Sequence, residues 1–203
     1  MKLRKWFIMV AMAALAGLAG AAYTGSLSSP GGLTLGGNWA SGVATMEWAV
    51  DQVGPLWSYE YTLAVSKAPG ISHIIIEISD TQINIYDDIE FDVDIYSKAG
   101  NIIMPASLTG VKYETGDVSS YTISFLSDRI PVWGDFFAKG GSNSYVYNTG
   151  FLADDPTDPA SNGSINNHIL RPDSVIIVPA PGAILLAAMG TGLVGYLRRR
   201  TVI

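Results

Sequence analysis

Tyr59-Glu60-Tyr61-Thr62-Leu63-Ala64-Val65-Ser66 places a large apolar side chain at every second position and a small or polar one between. Period two sends one set of side chains into a core and the other toward water, as a half-buried strand requires. The same alternation returns at Ile89, Phe91, Val93 and Ile95 against Asp88, Glu90, Asp92 and Asp94, and again through Tyr121, Ile123 and Phe125. Residues 71–79 are more continuously apolar, with Ile74, Ile75, Ile76 and Ile78 together, and read as a central strand buried on both faces. Turn pairs punctuate these runs: Pro69-Gly70, Ser79-Asp80, Asp87-Asp88, Gly100-Asn101, Gly116-Asp117, Gly134-Asp135 and Gly140-Gly141. No internal segment keeps a helical period. Short strands with such turns predict an all-β chain, a single β-sandwich or jelly-roll-like domain over residues 23–174.

The domain has a Gly- and Ser-rich lead-in over residues 23–42. From Leu152 the chain turns polar, with Asp154-Asp155-Pro156-Thr157-Asp158-Pro159 and Ser161-Asn162-Gly163, and residues 152–173 read as a loop or polar stalk. Residues 174–178 form a last short β-like run.

The two ends differ from this middle. Residues 1–22 carry Lys2, Arg4 and Lys5, then an uncharged run over residues 6–18, then small residues. That order is a secretory signal peptide, expected as a helix, and its apolar run of ~13 residues is too short to span a bilayer. Ala19 and Ala21 frame an A-x-A cleavage site, so the mature chain is expected to start at Ala22 or Tyr23. Without the two ends, six basic residues (Lys67, Lys98, Lys112, Arg129, Lys139, Arg171) face all 18 acids. A middle that acidic repels phosphate backbones and argues against nucleic-acid partners. The chain has no cysteine, which excludes disulfides, thiolate nucleophiles and Cys-ligated metals.

The last 26 residues begin Val178-Pro179-Ala180-Pro181-Gly182, continue through an uncharged segment over residues 183–197, and reach Arg198, Arg199 and Arg200. At 1.5 Å per residue the uncharged segment reaches only ~22 Å as a helix and needs residues 175–182 to cross a ~30 Å hydrocarbon core. The arginines are expected to stay cytoplasmic and hold the domain outside. Gly190-Thr191-Gly192-Leu193-Val194-Gly195 matches a dinucleotide fingerprint in letters alone, because no βαβ unit surrounds it and no acid follows.

This tail resembles the PEP-CTERM protein-sorting signal, which combines a Pro-x-Pro motif, a short hydrophobic segment and a terminal Arg cluster. Pro179 and Pro181 stand as the motif prolines, and Ala180 stands where the name-giving pattern has Glu, as in the V-P-A-P-G-A variant. The resemblance implies recognition by an exosortase, a membrane cysteine protease, with cleavage near the motif, and a cell-surface or exopolysaccharide-matrix destination. The body is similar to uncharacterised domains that carry this signal, through residues 59–63, 70–73 and 128–139. That likeness implies no activity.

Candidate sites follow from residue types. Asp88, Glu90, Asp92 and Asp94 on one strand face would stand ~6.6–7 Å apart, repelling one another unless a cation or cross-strand lysines offset them. They are either calcium ligands or a solvated outer face. Asp154, Asp155 and Asp158, in the Pro-bounded loop, are a second calcium candidate. His73 and His168 each lack a neighbouring His ligand and read as hydrogen-bonded surface or edge residues, with catalysis or metal ligation the alternative. Trp39, Trp48, Trp57, Trp133, Tyr145 and Tyr147 either pack the core or form a sugar-stacking platform. No G-x-S-x-G elbow, His-Glu-x-x-His helix or phosphate loop occurs. The expected function is that of a non-catalytic, structural or adhesive exported protein, with a polysaccharide-binding module, with or without calcium, and an envelope glycoside hydrolase as rivals.

Overall fold

The computed structural model describes residues 22–81, 83–86 and 90–173. Among these residues the protein is all-β, with 55% of residues in strands. Thirteen strands run in chain order: β1 (Ala22–Ser28), β2 (Leu33–Gly36), β3 (Ala44–Val53), β4 (Leu56–Val65), β5 (Ile71–Glu77), β6 (Ile85–Tyr86), β7 (Asp92–Tyr96), β8 (Leu108–Val118), β9 (Ser120–Ser127), β10 (Pro131–Gly134), β11 (Phe136–Gly140), β12 (Tyr145–Asn148) and β13 (Ile169–Pro172). The expected signal helix, tail helix and the 174–178 run lie outside the described residues.

The opening alternation becomes β4, where Tyr59, Tyr61, Leu63 and Val65 are buried and Glu60 is exposed. Its hairpin partner β3 turns back through two residues, Gly54 and Pro55, with Val53 facing Leu56. Gly54 has φ of 63°, a left-handed conformation that glycine adopts without a Cβ clash. β4 is also antiparallel to β9, whose Ile123 and Phe125 point inward as their spacing predicts. The first sheet has the order β1-β3-β4-β9-β6.

The second sheet has the order β2-β12-β11-β5-β8-β7, and every pairing in it is antiparallel. β5 lies inside it, buried on both sides as its isoleucines predict. Ile74 and Ile76 join the main core, which takes side chains from both sheets and gives a sandwich-like arrangement. Ile75 faces the other way, into a small second cluster with Met104, Leu108, Phe137 and Phe151.

A two-stranded ribbon, β10-β13, completes the fold. It is riveted to β4 by two buried phenols: Tyr59 donates to the Arg129 carbonyl at 2.8 Å and Tyr61 to the Leu170 carbonyl at 2.9 Å. Burial in the core pushes both phenol pKa values well above the ordinary range.

Two sequence expectations change. Of the loop and stalk alternatives for residues 152–173, the loop holds up to Asn167, and the chain then enters β13: His168, Ile169 and Leu170 are buried, and Ala160 and Ile165 pack on the core. Their polar neighbours serve turns and a sheet edge, since the Thr24 amide donates to Asn162 Oδ1 and the Gly163 amide to the Thr24 carbonyl. The acidic strand is also shorter than its alternation suggests, beginning at Asp92. Phe91 and Val93 pack on the core, whereas Ile95 is 61% exposed. β7 is an edge strand with β8 as its one partner in the sheet order, so Ile95 lacks the cover that interior strands enjoy.

Candidate functional site

Where β10 hands over to β11, the chain leaves one acid at the joint, Asp135. The β10–β13 pairing brings Arg171 of β13 opposite Val132, and His168 lies one residue before β13. The end of β5 contributes Glu77, and the Pro-bounded loop contributes Asp155. These five residues converge into one largely buried polar cluster beside the main core.

Each member is held by the backbone around it. Asn166 and Asn167 have φ of 49° and 61°, successive left-handed residues that turn the chain sharply just before His168. Asparagine tolerates that conformation better than most residues. The His168 amide donates to the Ile165 carbonyl at 2.9 Å, and Ser164 Oγ donates to the His168 carbonyl at 2.7 Å. Gly150 lies against the imidazole: a Cβ there would come within 2.7 Å of His168 Cε1 and 2.8 Å of Nδ1. The His168 ring is wholly buried.

Asp135 is fixed from two sides. Its Oδ1 accepts from Asn148 Nδ2 at 2.6 Å, and its amide donates to Glu77 Oε2 at 2.7 Å. The amide orientation of Asn148 follows from its other bonds, since Oδ1 accepts from the Phe136 amide and Nδ2 also donates to the Asn167 carbonyl. Arg171 organises the acids: Nη2 contacts Asp155 Oδ2 at 2.9 Å, Nε lies 3.4 Å from Glu77 Oε2, and Nη1 donates to Ser79 Oγ at 2.6 Å. Ser79 in turn donates to Asp173.

Two carboxylates, Glu77 and Asp155, thus flank one guanidinium, and Asp135 stands beside them through its contacts to Glu77 and His168. Burial raises the Glu77 pKa to about 7 against the pull of Arg171, and repulsion from Asp155 and Asp135 adds to the rise. Burial likewise raises Asp135 to about 6, opposed by the Asn148 hydrogen bond. The cluster holds more negative charge than Arg171 alone neutralises.

The sequence-derived candidates are distributed differently. Of the acidic ladder, Asp88 lies outside the described residues. Glu90 precedes β7, and Asp92 and Asp94 point into solvent from it. Asp92 faces Lys112 of β8 and accepts from the Tyr96 hydroxyl, while Asp94 accepts from the Ile95 amide. Of the loop acids only Asp155 joins a cluster, and Asp154 and Asp158 are exposed. The tryptophans Trp39, Trp48, Trp57 and Trp133 are all buried, so no sugar platform is built from them. Tyr145 and Tyr147 are half-buried and stacked, with centroids 6.0 Å apart and planes 10° from parallel. His73 sits within β5, where burial and then Lys112 hold its pKa down at about 4. His168, expected at a surface or edge, is instead the most enclosed member of the cluster. Ala19, Ala21, the motif residues 178–182 and Arg198, Arg199 and Arg200 lie outside the described residues.

Glu77, Asp135, His168 and Arg171 were not singled out together by the sequence. The local hints were the Gly134-Asp135 turn and the Asn166-Asn167 pair before His168, and neither reveals what lies across the fold. Comparison with protein families, curated proteins and solved structures found no match to this chain.

Proposed function

We propose that this protein is an exported, tail-sorted cell-surface or extracellular-matrix protein whose β-domain makes structural or adhesive contacts and is not an enzyme. The observation that carries the reading is the segmentation of the chain: a basic-apolar-small head, an acidic β-domain, and a Pro-x-Pro, apolar, Arg-cluster tail. In this reading the head and tail are helices flanking a β-sandwich, and the tail is a PEP-CTERM-type signal read by an exosortase at Val178, Pro179, Ala180, Pro181 and Gly182. The tail anchors the precursor in the membrane, and Arg198, Arg199 and Arg200 retain it there.

Mass spectrometry of the protein recovered from the cell surface tests the reading. The expected mature N-terminus is Ala22 or Tyr23, and in cells carrying the sorting protease the Arg cluster is lost. A surface species that retains Met1, or that retains Arg200 in such cells, overturns it.

A second reading, an exopolysaccharide-binding module, draws on one observation: Tyr145 and Tyr147 form a stacked, half-buried aromatic pair on β12. Binding to a glycan array that is lost in Tyr147→Ala would favour it over purely structural contacts.

A further inference from the structure

Imidazole nitrogens are distinct, and the partner of one assigns the role of the other. His168 Nδ1 lies 3.2 Å from the Ile165 carbonyl oxygen. A carbonyl only accepts, so Nδ1 carries the proton and Nε2 of the neutral ring presents a lone pair. That Nε2 is wholly buried and has no hydrogen-bond partner. It points at two carboxylate oxygens, Asp135 Oδ1 at 3.6 Å and Asp155 Oδ1 at 3.7 Å. An imidazole lone pair and two carboxylate oxygens converging in a buried place form a donor set that a cation satisfies, whether the ring's second proton or a metal ion that displaces it.

We propose that Nε2 of His168, Oδ1 of Asp135 and Oδ1 of Asp155 form a binding site for a divalent transition-metal ion of the zinc or manganese kind. The three ligand atoms all lie within 4.8 Å of one another. Metal–ligand bonds of about 2.0–2.2 Å at tetrahedral angles separate ligand atoms by roughly 3.4 Å; Nε2 already lies 3.6 Å and 3.7 Å from the two carboxylate oxygens, and those oxygens, within 4.8 Å of each other, draw together around the ion. Imidazole with two carboxylates suits zinc or manganese, whereas calcium favours an all-oxygen shell.

Every ligand also has the outer partner that metal sites use to orient their donors. The Ile165 carbonyl sets the His168 tautomer, Asn148 holds Asp135, and Arg171 holds Asp155 through the oxygen that does not face Nε2. Asp155 is the most open of the three ligands, its side chain 33% exposed, and gives the ion an entry side. The site stands independently of the export reading and is separate from the acidic ladder on β7.

The test uses the full-length, untagged chain stripped with EDTA. Calorimetric titration with zinc chloride, and with manganese chloride in parallel, is expected to give saturable one-to-one binding of at least one of the two metals, with calcium chloride much weaker. Cobalt substitution is expected to give visible absorption bands carrying an imidazole signature. His168→Gln should weaken binding at least tenfold. Because that side chain is buried, Asp155→Asn serves as the second variant. It should also lose at least tenfold while its circular dichroism and melting in EDTA match the parent. Asp92→Asn with Asp94→Asn should leave binding unchanged. Absence of saturable zinc or manganese binding up to millimolar metal, or binding unaffected by Asp155→Asn, or binding lost in the Asp92 and Asp94 variant instead, overturns the proposal.

Discussion

Tyr61→Phe removes one oxygen atom and, with it, one of the two bonds that fasten the β10-β13 ribbon to the first sheet. The ring stays in place because its packing is unchanged: Tyr59 lies 6.4 Å and Phe125 6.1 Å from it, centroid to centroid. What is lost is the 2.9 Å hydrogen bond to the Leu170 carbonyl, in a core position where Tyr61 is 1% exposed and Leu170 is fully buried. A net bond is worth about 0.5–1.5 kcal/mol, and a carbonyl lone pair left dry adds to that, so the loss should fall at about 1–2 kcal/mol. For a domain of this size each kcal/mol moves the melting temperature by about 2–4 °C, which predicts a drop of roughly 2–8 °C. Urea unfolding should show a lower midpoint at an unchanged slope, because the surface exposed on unfolding is the same. Native-state hydrogen exchange should quicken first in β13, since the ribbon loses a tether that the sheets keep. A stability change below about 0.5 kcal/mol, or faster exchange spread evenly over both sheets, would refute the reasoning that the phenols rivet the ribbon.

Two further predictions concern charge. His73 is held neutral by burial and by Lys112 and Lys139, against the opposing pull of Glu114, so its folded pKa of about 4 lies below the unfolded value near 6.5. The unfolded chain therefore binds the extra proton between pH 6.5 and 4, and this contribution to stability is complete above 6.5 and lost as pH falls toward 4. With the ring partly solvated the loss should be about 1–2 kcal/mol after screening, and His73→Gln should flatten that part of the stability curve; parallel curves for parent and variant would contradict it. On β7, Asp92 and Asp94 are solvent-exposed and locally hydrogen-bonded, so calcium chloride should raise the melting temperature no more than sodium chloride of equal ionic strength. A calcium-specific rise abolished by Asp92→Asn with Asp94→Asn would restore the ladder as a cation site.

The sheets were legible because period two acts locally. β4 and β9 each bury one face over eight or more residues, and β5 announces its two-sided burial by a run of isoleucines. β13 was not legible, since Ile169 and Leu170 are two apolar residues in a four-residue strand and two residues have no period. The cluster escaped for a different reason. Glu77, Asp135, Asp155 and the His168–Arg171 segment are far apart along the chain, and the β5–β11 and β10–β13 pairings with the hand-over into β11 bring them together. A histidine with no second histidine nearby gives no spacing to read, and its importance rests on which way Nε2 points.

The strand edges bear on how this protein behaves when many copies crowd together. An open sheet presents unpaired amide and carbonyl groups that a second molecule can extend, the first step toward fibres or disordered clumps. Here the edge of β1 is interrupted at Thr24, whose amide and carbonyl are taken by Asn162 and Gly163. Among the described residues β6 offers two and β2 four, a short grip for a partner strand. β7 places Asp92 and Asp94 along the fourth edge of the two larger sheets, so two molecules meeting there would set carboxylate against carboxylate. A film or matrix containing such a domain at high density would therefore keep it as separate folded units, with cohesion left to faces and loops.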